Sequence, residues 1–188
     1  MQRCGWCGSD SLYVAYHDQE WGVPIYEAQQ LFELLVLETM QAGLSWITVL
    51  RKRENFRQAF DNFNPEKIVG YTDVKLAELL NNAGIIRNRL KIQAVVNNAK
   101  AFLDMQARGS FADYIWQFSD GRVIQNAWQN MTEVPVRTPI SDNMAKNLKQ
   151  RGFSFVGSTV CYAYMQAMGM VNDHFMSCFR HAELSKAV

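Results

Sequence analysis

The chain contains no run of about 18 consecutive apolar residues, which excludes a membrane-spanning helix. Its opening segment, MQRCGWCGSD, has no apolar core of the kind a secretory leader carries, so a cytoplasmic protein is the expectation. No Pro- or Ser-rich linker, internal repeat or low-complexity tract interrupts the 188 residues, and a single domain over 1–188 is expected. The alternation of apolar and polar residues that marks strands is also missing. Net charge is only +1, so any affinity for nucleic acid must come from local patches. Three short basic stretches exist, RKR at 51–53, RNRLK at 87–91 and KNLKQR at 146–151; on charge alone the reading favoured for each is a solvated helix face.

What is present is a globular composition, 48% hydrophobic, with enough length to bury a core. Soft metal ligands are few and gathered at the two ends: Cys4, Cys7 and His17 near the start, His174 and Cys178 near the finish. In a cytosolic chain such a Cys and His grouping favours a metal over a disulfide.

Helical periodicity dominates the interior, and the fold class expected is all-α. Residues 27–40, EAQQLFELLVLETM, are too apolar for a surface helix and predict a central one. Further helices are predicted over 45–60 with Ser45 as cap, 73–84, 88–109, 110–118, 141–152, 158–169 and, briefly, 172–179. Residues 119–140 read as a long irregular stretch.

Between Lys146 and Gly169 the pattern is a helix ending at Gly152, a tight apolar loop FSFV, then Gly157 and a second helix capped by Ser158 or Thr159. This is a helix-hairpin-helix pattern. Free N–H groups at the start of the second helix can face a DNA phosphate, with Lys146, Lys149 and Arg151 supplying charge, and such contacts position DNA without reading it. An ordinary antiparallel helix pair fits the same spacing.

The N-terminal part is dense in aromatic rings: Trp6, Tyr13, Tyr16, Trp21, Tyr26 and then Trp46. One carboxylate, Glu38, follows LLVL in the central helix. It either reaches solvent at the helix end or forms the floor of an aromatic pocket. Such a pocket suits a flat, amine-bearing, preferably cationic ring, meaning a nucleobase.

CGW at 4–6, YHDQEWG at 16–22, QAGLSW at 41–46, AGIIRNRLKI at 83–92, RGFSFVG at 151–157 and VNDH at 171–174 together resemble the type I 3-methyladenine DNA glycosylases, within the helix-hairpin-helix glycosylase superfamily. The likeness runs from Met1 to about Cys178. It implies a monofunctional repair enzyme that flips 3-methyladenine out of alkylated double-stranded DNA and hydrolyses its N-glycosidic bond, with no lyase step. It implies Glu38 as the catalytic and base-reading carboxylate, Tyr16 and Trp46 as stacking walls, and Tyr13, Trp6 and Trp21 as the rest of the pocket. It also implies a structural zinc held by Cys4, His17, His174 and Cys178, with the last two on one helix face. Gly152, Gly157, Ser158, Thr159, Lys149 and Arg151 would contact DNA, and a monomer is expected.

Cys7 stands outside that pattern and reads as a small buried thiol, though CxxC is also a common zinc half-site. Cys161 reads as packing and His181 as a tail residue. Asp173, sixteen residues after Gly157, lies where the superfamily seeks a catalytic aspartate; support of a neighbour or helix capping is the reading favoured. A DNA-binding module without catalysis would need no base pocket. A zinc hydrolase would need an open metal position and a general base, and no HExxH-type motif is present. A glycosylase of the same architecture with another base preference remains compatible.

Overall fold

A computed structural model describes residues 1–186. The helices are α1 (Ser11–Gln19), α2 (Ala28–Gln41), α3 (Trp46–Leu50), α4 (Arg53–Ala59), α5 (Pro65–Ile68), α6 (Asp73–Asn81), α7 (Arg89–Gln106), α8 (Phe111–Trp116), α9 (Pro139–Gln150), α10 (Ser158–Ala167) and α11 (Phe179–Lys186). The architecture is all-α, as expected. Two-residue strands β1 (Ile124–Gln125) and β2 (Val171–Asn172) pair in parallel, Ile124 with Val171 and Gln125 with Asn172.

α2 is the central helix because both its faces are apolar. Leu31, Phe32, Leu35 and Val36 are fully buried, and α2 packs on α7 and α10. The Tyr164 hydroxyl of α10 donates to the Leu31 carbonyl at 3.1 Å, which ties the two helices. The C-terminal end of α2 has a buried cation. Lys91 of α7 donates to the carbonyls of Met40 (2.8 Å) and Ala42 (2.6 Å), satisfying acceptors that a helix end leaves open. Lys91 is therefore no part of a solvated basic face.

Several boundaries differ from those the sequence predicts. The single helix expected over 45–60 breaks into α3 and α4 at Arg51–Lys52, where long-range contacts dictate the turn. Arg51 bonds Asp10, Lys52 bonds the carbonyls of Ala83 and Gly84, and Arg53 pairs with Glu20. α9 starts at Pro139 and not at Ser141: Thr138 is the cap, and Ser141 completes a capping box with it. The helix expected over 172–179 does not form. Val171 and Asn172 pair with β1, a turn follows, and the last helix begins only at Phe179. His181 belongs to that helix and is no free tail: its Nε2 lies 2.7 Å from the Asn126 carbonyl oxygen.

Gly169, just after α10, has φ +76°, and a Cβ there would lie 2.4 Å from backbone atoms of Val23 and Pro24. Both the left-handed conformation and the contact require glycine. Gly169→Ala is expected to cost about 3 kcal/mol of stability, to be read from urea unfolding.

Candidate functional site

Trp6 from the turn of 3-10 helix at Gly5–Cys7, Tyr13 and Tyr16 from α1, Trp21 just beyond α1 and Trp46 from α3 meet at one cavity of about 190 Å³. Its walls include Trp6, Tyr13, Tyr16, Trp21 and Trp46, and Glu38 reaches it from α2. All six residues inferred from sequence thus line a single space. The rings brace one another. Tyr16 and Trp46 stand 5.4 Å apart between centroids, Trp6 and Tyr13 5.1 Å, and Trp6 meets Trp21 edge-on at 4.9 Å.

Glu38 is 3% exposed, and its Oε2 has no hydrogen-bond partner among the described residues. The alternative of a helix-end carboxylate reaching solvent is excluded. Burial without compensation pushes its carboxyl up to about 8, because low polarity penalises the charged form. Trp46 Nε1 is a second buried polar atom at the cavity without a partner among the described residues. An orphaned acceptor and an orphaned donor beside one aromatic cavity are groups waiting for a ligand.

Other cavity residues gave little or no sequence signal. Met131 and Val134 come from the irregular stretch, Gln41 from the end of α2, Gln166 and Ala163 from α10, and Asp173 and Phe175 from the turn after β2. Asp173 is 1% exposed. It accepts hydrogen bonds from Asn126 (2.6 Å), Trp128 (2.9 Å), Tyr162 (2.6 Å) and Gln166 (2.8 Å). The i, i+4 polar pair Tyr162 and Gln166 on an otherwise apolar helix was the only periodic hint of this network.

Behind the cavity the chain ends meet. The ligand atoms of Cys4, His17, His174 and Cys178, all buried, lie within 4.8 Å of one another and could hold a metal ion. His174 Nδ1 is 3.6 Å from each of the two sulfurs, and His17 Nε2 is 3.5 Å from Cys178 Sγ. The far ring nitrogens are engaged: His17 Nδ1 with Asp18 at 2.8 Å, His174 Nε2 with the Trp21 carbonyl at 3.0 Å. A ligating imidazole is held in orientation in this way. His174 and Cys178 are supplied by the turn between β2 and α11, not by a helix face. Cys7 is buried but its Sγ donates to the Cys4 carbonyl at 3.1 Å, outside the quartet. Trp6 contacts His17, and Trp21 contacts His174, so the cavity's aromatic wall rests directly on the four-residue cluster.

α9 and α10 pack on one another, joined by residues 151–157. Gly152 has φ +91°, whereas Gly157 is ordinary extended backbone (φ −70°), and a Cβ placed on it would meet nothing within 4 Å. The glycine at 157 is thus not demanded by backbone conformation; it leaves open space. Gly157 is itself the N-cap of α10, without a side-chain cap bond. Ser158 does not cap: its hydroxyl pairs with that of Ser141 at 2.9 Å. Lys149, Arg151 and Thr159 are exposed beside it, the Arg151 guanidinium 4.5 Å from the Tyr114 ring centroid.

The same chain matches the family model described as methyladenine glycosylase over residues 6–181. It is 49% identical over 179 residues to DNA-3-methyladenine glycosylase 1 of Escherichia coli (strain K12), covering 95% of this chain and 96% of that protein. A crystal structure of a 3-methyladenine DNA glycosylase I superposes with a TM-score of 0.93 at 52% identity, over 95% of this chain and 98% of the other. The Staphylococcus aureus 3-methyladenine DNA glycosylase I, whose structure concerns 3-methyladenine recognition, superposes at 0.91 with 34% identity over 95% and 96%. With this extent of match, and an aromatic cavity holding one buried carboxylate, the chain belongs to the methyladenine glycosylase family.

Proposed function

We propose that this protein excises 3-methyladenine from alkylated double-stranded DNA, as a monofunctional glycosylase acting in base excision repair. The observation that carries the reading is Glu38, buried and unpartnered at the aromatic cavity. 3-Methyladenine in DNA is a cation, flat, and bears an exocyclic amine. Laid against the wall that Tyr16 and Trp46 form together, 5.4 Å apart between centroids, with Tyr13, Trp6 and Trp21 around it, such a ring gains from the π faces. Its amine would donate to Glu38, whose ionised form the cation favours. A damaged base also costs least to extrude from the stack.

The chemistry asks little of the protein. The glycosidic bond of the cationic nucleoside breaks with both bonding electrons passing to the ring, so the base departs neutral without prior protonation. Water supplies oxygen to the sugar carbon and loses one proton to solvent, and an abasic site remains. Glu38 contributes by holding the base in the leaving geometry and by offsetting charge; Asp173, saturated by four donors, supports the walls instead of activating water.

The quartet of Cys4, His17, His174 and Cys178 fits zinc. A tetrahedron with metal–sulfur bonds of about 2.3 Å and metal–nitrogen bonds of about 2.0 Å has sulfur–nitrogen edges of about 3.5 Å, and three such separations here are 3.5, 3.6 and 3.6 Å. Two sulfurs and two imidazoles close the coordination shell, leaving no position for a reacting water, so the ion would be structural.

The α9–α10 hairpin is proposed as the helix-hairpin-helix contact with the duplex. Open space at Gly157 and uncapped N–H groups at the start of α10 support a close phosphate approach. Lys149→Ala is expected to weaken duplex binding about threefold to tenfold, whatever the sequence, and to lower the slope of log affinity against log salt by about one; anisotropy titrations at several salt concentrations check both. The protein is expected to act as a monomer in the cytoplasm; among the described residues no helix is long and apolar enough to cross a membrane.

The test of the activity is base release. Methylated duplex DNA is incubated with protein and the freed bases are separated by chromatography. Release of 3-methyladenine with little 7-methylguanine is expected. No release by folded, zinc-loaded protein would leave only a DNA-binding role.

A further inference from the structure

Gln166 stands on α10 with its side chain at the cavity. Its amide Nε2 donates to Asp173 Oδ2 at 2.8 Å. The orientation of that amide is fixed by chemistry and not merely by fit. Asp173 Oδ1 lies 2.9 Å from the Trp128 indole nitrogen, which can only donate. Tyr162 and Asn126 add two further short contacts, so the carboxylate is an acceptor on both oxygens. Turning the Gln166 amide over would set carbonyl oxygen against carboxylate oxygen. Its NH2 is therefore committed to Asp173, and its Oε1 remains available as an acceptor at the cavity.

Glu38 lacks this fixity. A carboxyl that burial holds near neutrality can accept in one protonation state and donate in the other, so alone it distinguishes an amine edge from a carbonyl edge poorly. Gln166 has no second state while Asp173 holds it. We infer that Gln166 is a base-reading residue, its carbonyl oxygen locked toward the cavity by Asp173 as a permanent acceptor that favours a ring edge bearing an amine over one bearing a carbonyl. Asp173 is then a positioning residue, and its neighbours Trp128 and Asn126 serve the same end from the stretch that also supplies Met131 and Val134. This inference rests on the base-pocket reading above.

Two free bases test it: 3-methyladenine and 3-methylhypoxanthine, in which the exocyclic amine is replaced by a carbonyl and the ring gains an N–H. The tryptophans around the cavity report binding by fluorescence. The wild-type protein is expected to prefer 3-methyladenine. In Gln166→Met, which keeps the length of the side chain without its acceptor, that preference falls about tenfold, the size of one hydrogen bond. Asp173→Asn leaves Gln166 in place but lets its amide turn, and the preference falls in the same direction. A Gln166→Met protein that binds both bases more weakly by an equal factor, or keeps the wild-type preference within twofold, overturns the inference and makes Gln166 a packing residue. If Gln166→Met does not fold, an unchanged preference in Asp173→Asn overturns it instead. A wild-type protein that binds neither base and releases none from DNA removes the base-pocket reading itself, a separate outcome.

Discussion

Glu38→Ala is expected to lower the single-turnover rate of 3-methyladenine release by about 10³-fold, a loss of about 4 kcal/mol in transition-state stabilisation. Asp173→Asn is expected to stay within about tenfold of wild type. The contrast follows from their surroundings. Glu38 has an unpartnered oxygen at the cavity, so its hydrogen-bonding capacity is unspent until a base arrives. Asp173 is engaged by Asn126, Trp128, Tyr162 and Gln166, and has little capacity left for a reacting water. Near-full activity in Glu38→Ala under single-turnover conditions would remove Glu38 from its role.

The pH dependence carries the same assignment. In the empty cavity the Glu38 carboxyl is raised to about 8. The cationic base binds the ionised form, so kcat/KM rises about tenfold per pH unit below that value and levels off above it. In the complex the positive ring lowers the carboxyl again, so kcat stays flat over the same range. Stability runs the opposite way. An acid whose folded pKa lies above its unfolded value near 4.5 is ionised in the unfolded chain while still protonated in the folded one. Stability therefore falls as pH rises from about 4.5 to about 8, and the full cost is present above 8. Glu38→Gln removes that cost. It is expected to be more stable than wild type at about pH 9, on the order of a few kcal/mol, while losing the pH limb of kcat/KM. A thermal melt series from about pH 5 to about pH 9 shows the two stability curves diverging, or refutes the burial argument if they stay parallel.

How far the sequence foretells this protein depends on the range of the forces involved. α2 is legible because its apolar density is local: Leu31 to Leu37 can only be a buried segment. The aromatic wall and Glu38 are legible for a related reason. Trp6, Tyr13, Tyr16 and Trp21 crowd one short stretch, and a carboxylate amid leucines demands an explanation. The break between α3 and α4 is not legible, since it is set by Asp10, Glu20 and the carbonyls of Ala83 and Gly84, all far along the chain. The same holds for Lys91. In the string RNRLK it is one basic residue among three, yet its ammonium group is buried on the end of α2. The helix expected over 172–179 fails for a comparable reason: a two-residue parallel pairing with a stretch nearly fifty positions earlier wins over local helical preference. Gln166 and Asp173 show the limit most clearly, because a buried polar network assembled from α10, the irregular stretch and the turn after β2 leaves in the sequence only the i, i+4 spacing of Tyr162 and Gln166.

Loss of the proposed zinc is expected to cost more stability than any single core substitution outside the cluster. The neighbouring thiols of Cys4 and Cys178 act on one another, pushing Cys4 up and holding Cys178 down, the two histidines helping to hold it down. Without a cation, four buried donor groups face one another with too few protons and too little positive charge to satisfy them. Zinc in the proposed site would neutralise the thiolates and pin the turn carrying His174 and Cys178 to α1 and to the segment before the Gly5–Cys7 turn. Binding to the folded chain alone is folding energy. Removing zinc with a strong chelator, or substituting Cys178→Ala, is expected to cost about 5 kcal/mol and to lower the melting temperature by more than about 10 °C. The effect should also reach the cavity. Trp6 and Trp21 lean on His17 and His174, so loosening the cluster releases one wall of the base site. The protein without metal is expected to lose affinity for 3-methyladenine at temperatures well below its melting point, and to regain it on adding zinc but not magnesium, whose hard, oxygen-seeking chemistry suits none of these four ligands. Cys7→Ala, whose thiol lies outside the quartet, should bind zinc with wild-type stoichiometry; a halved zinc content in that variant would shift the ligand set from Cys4 to Cys7.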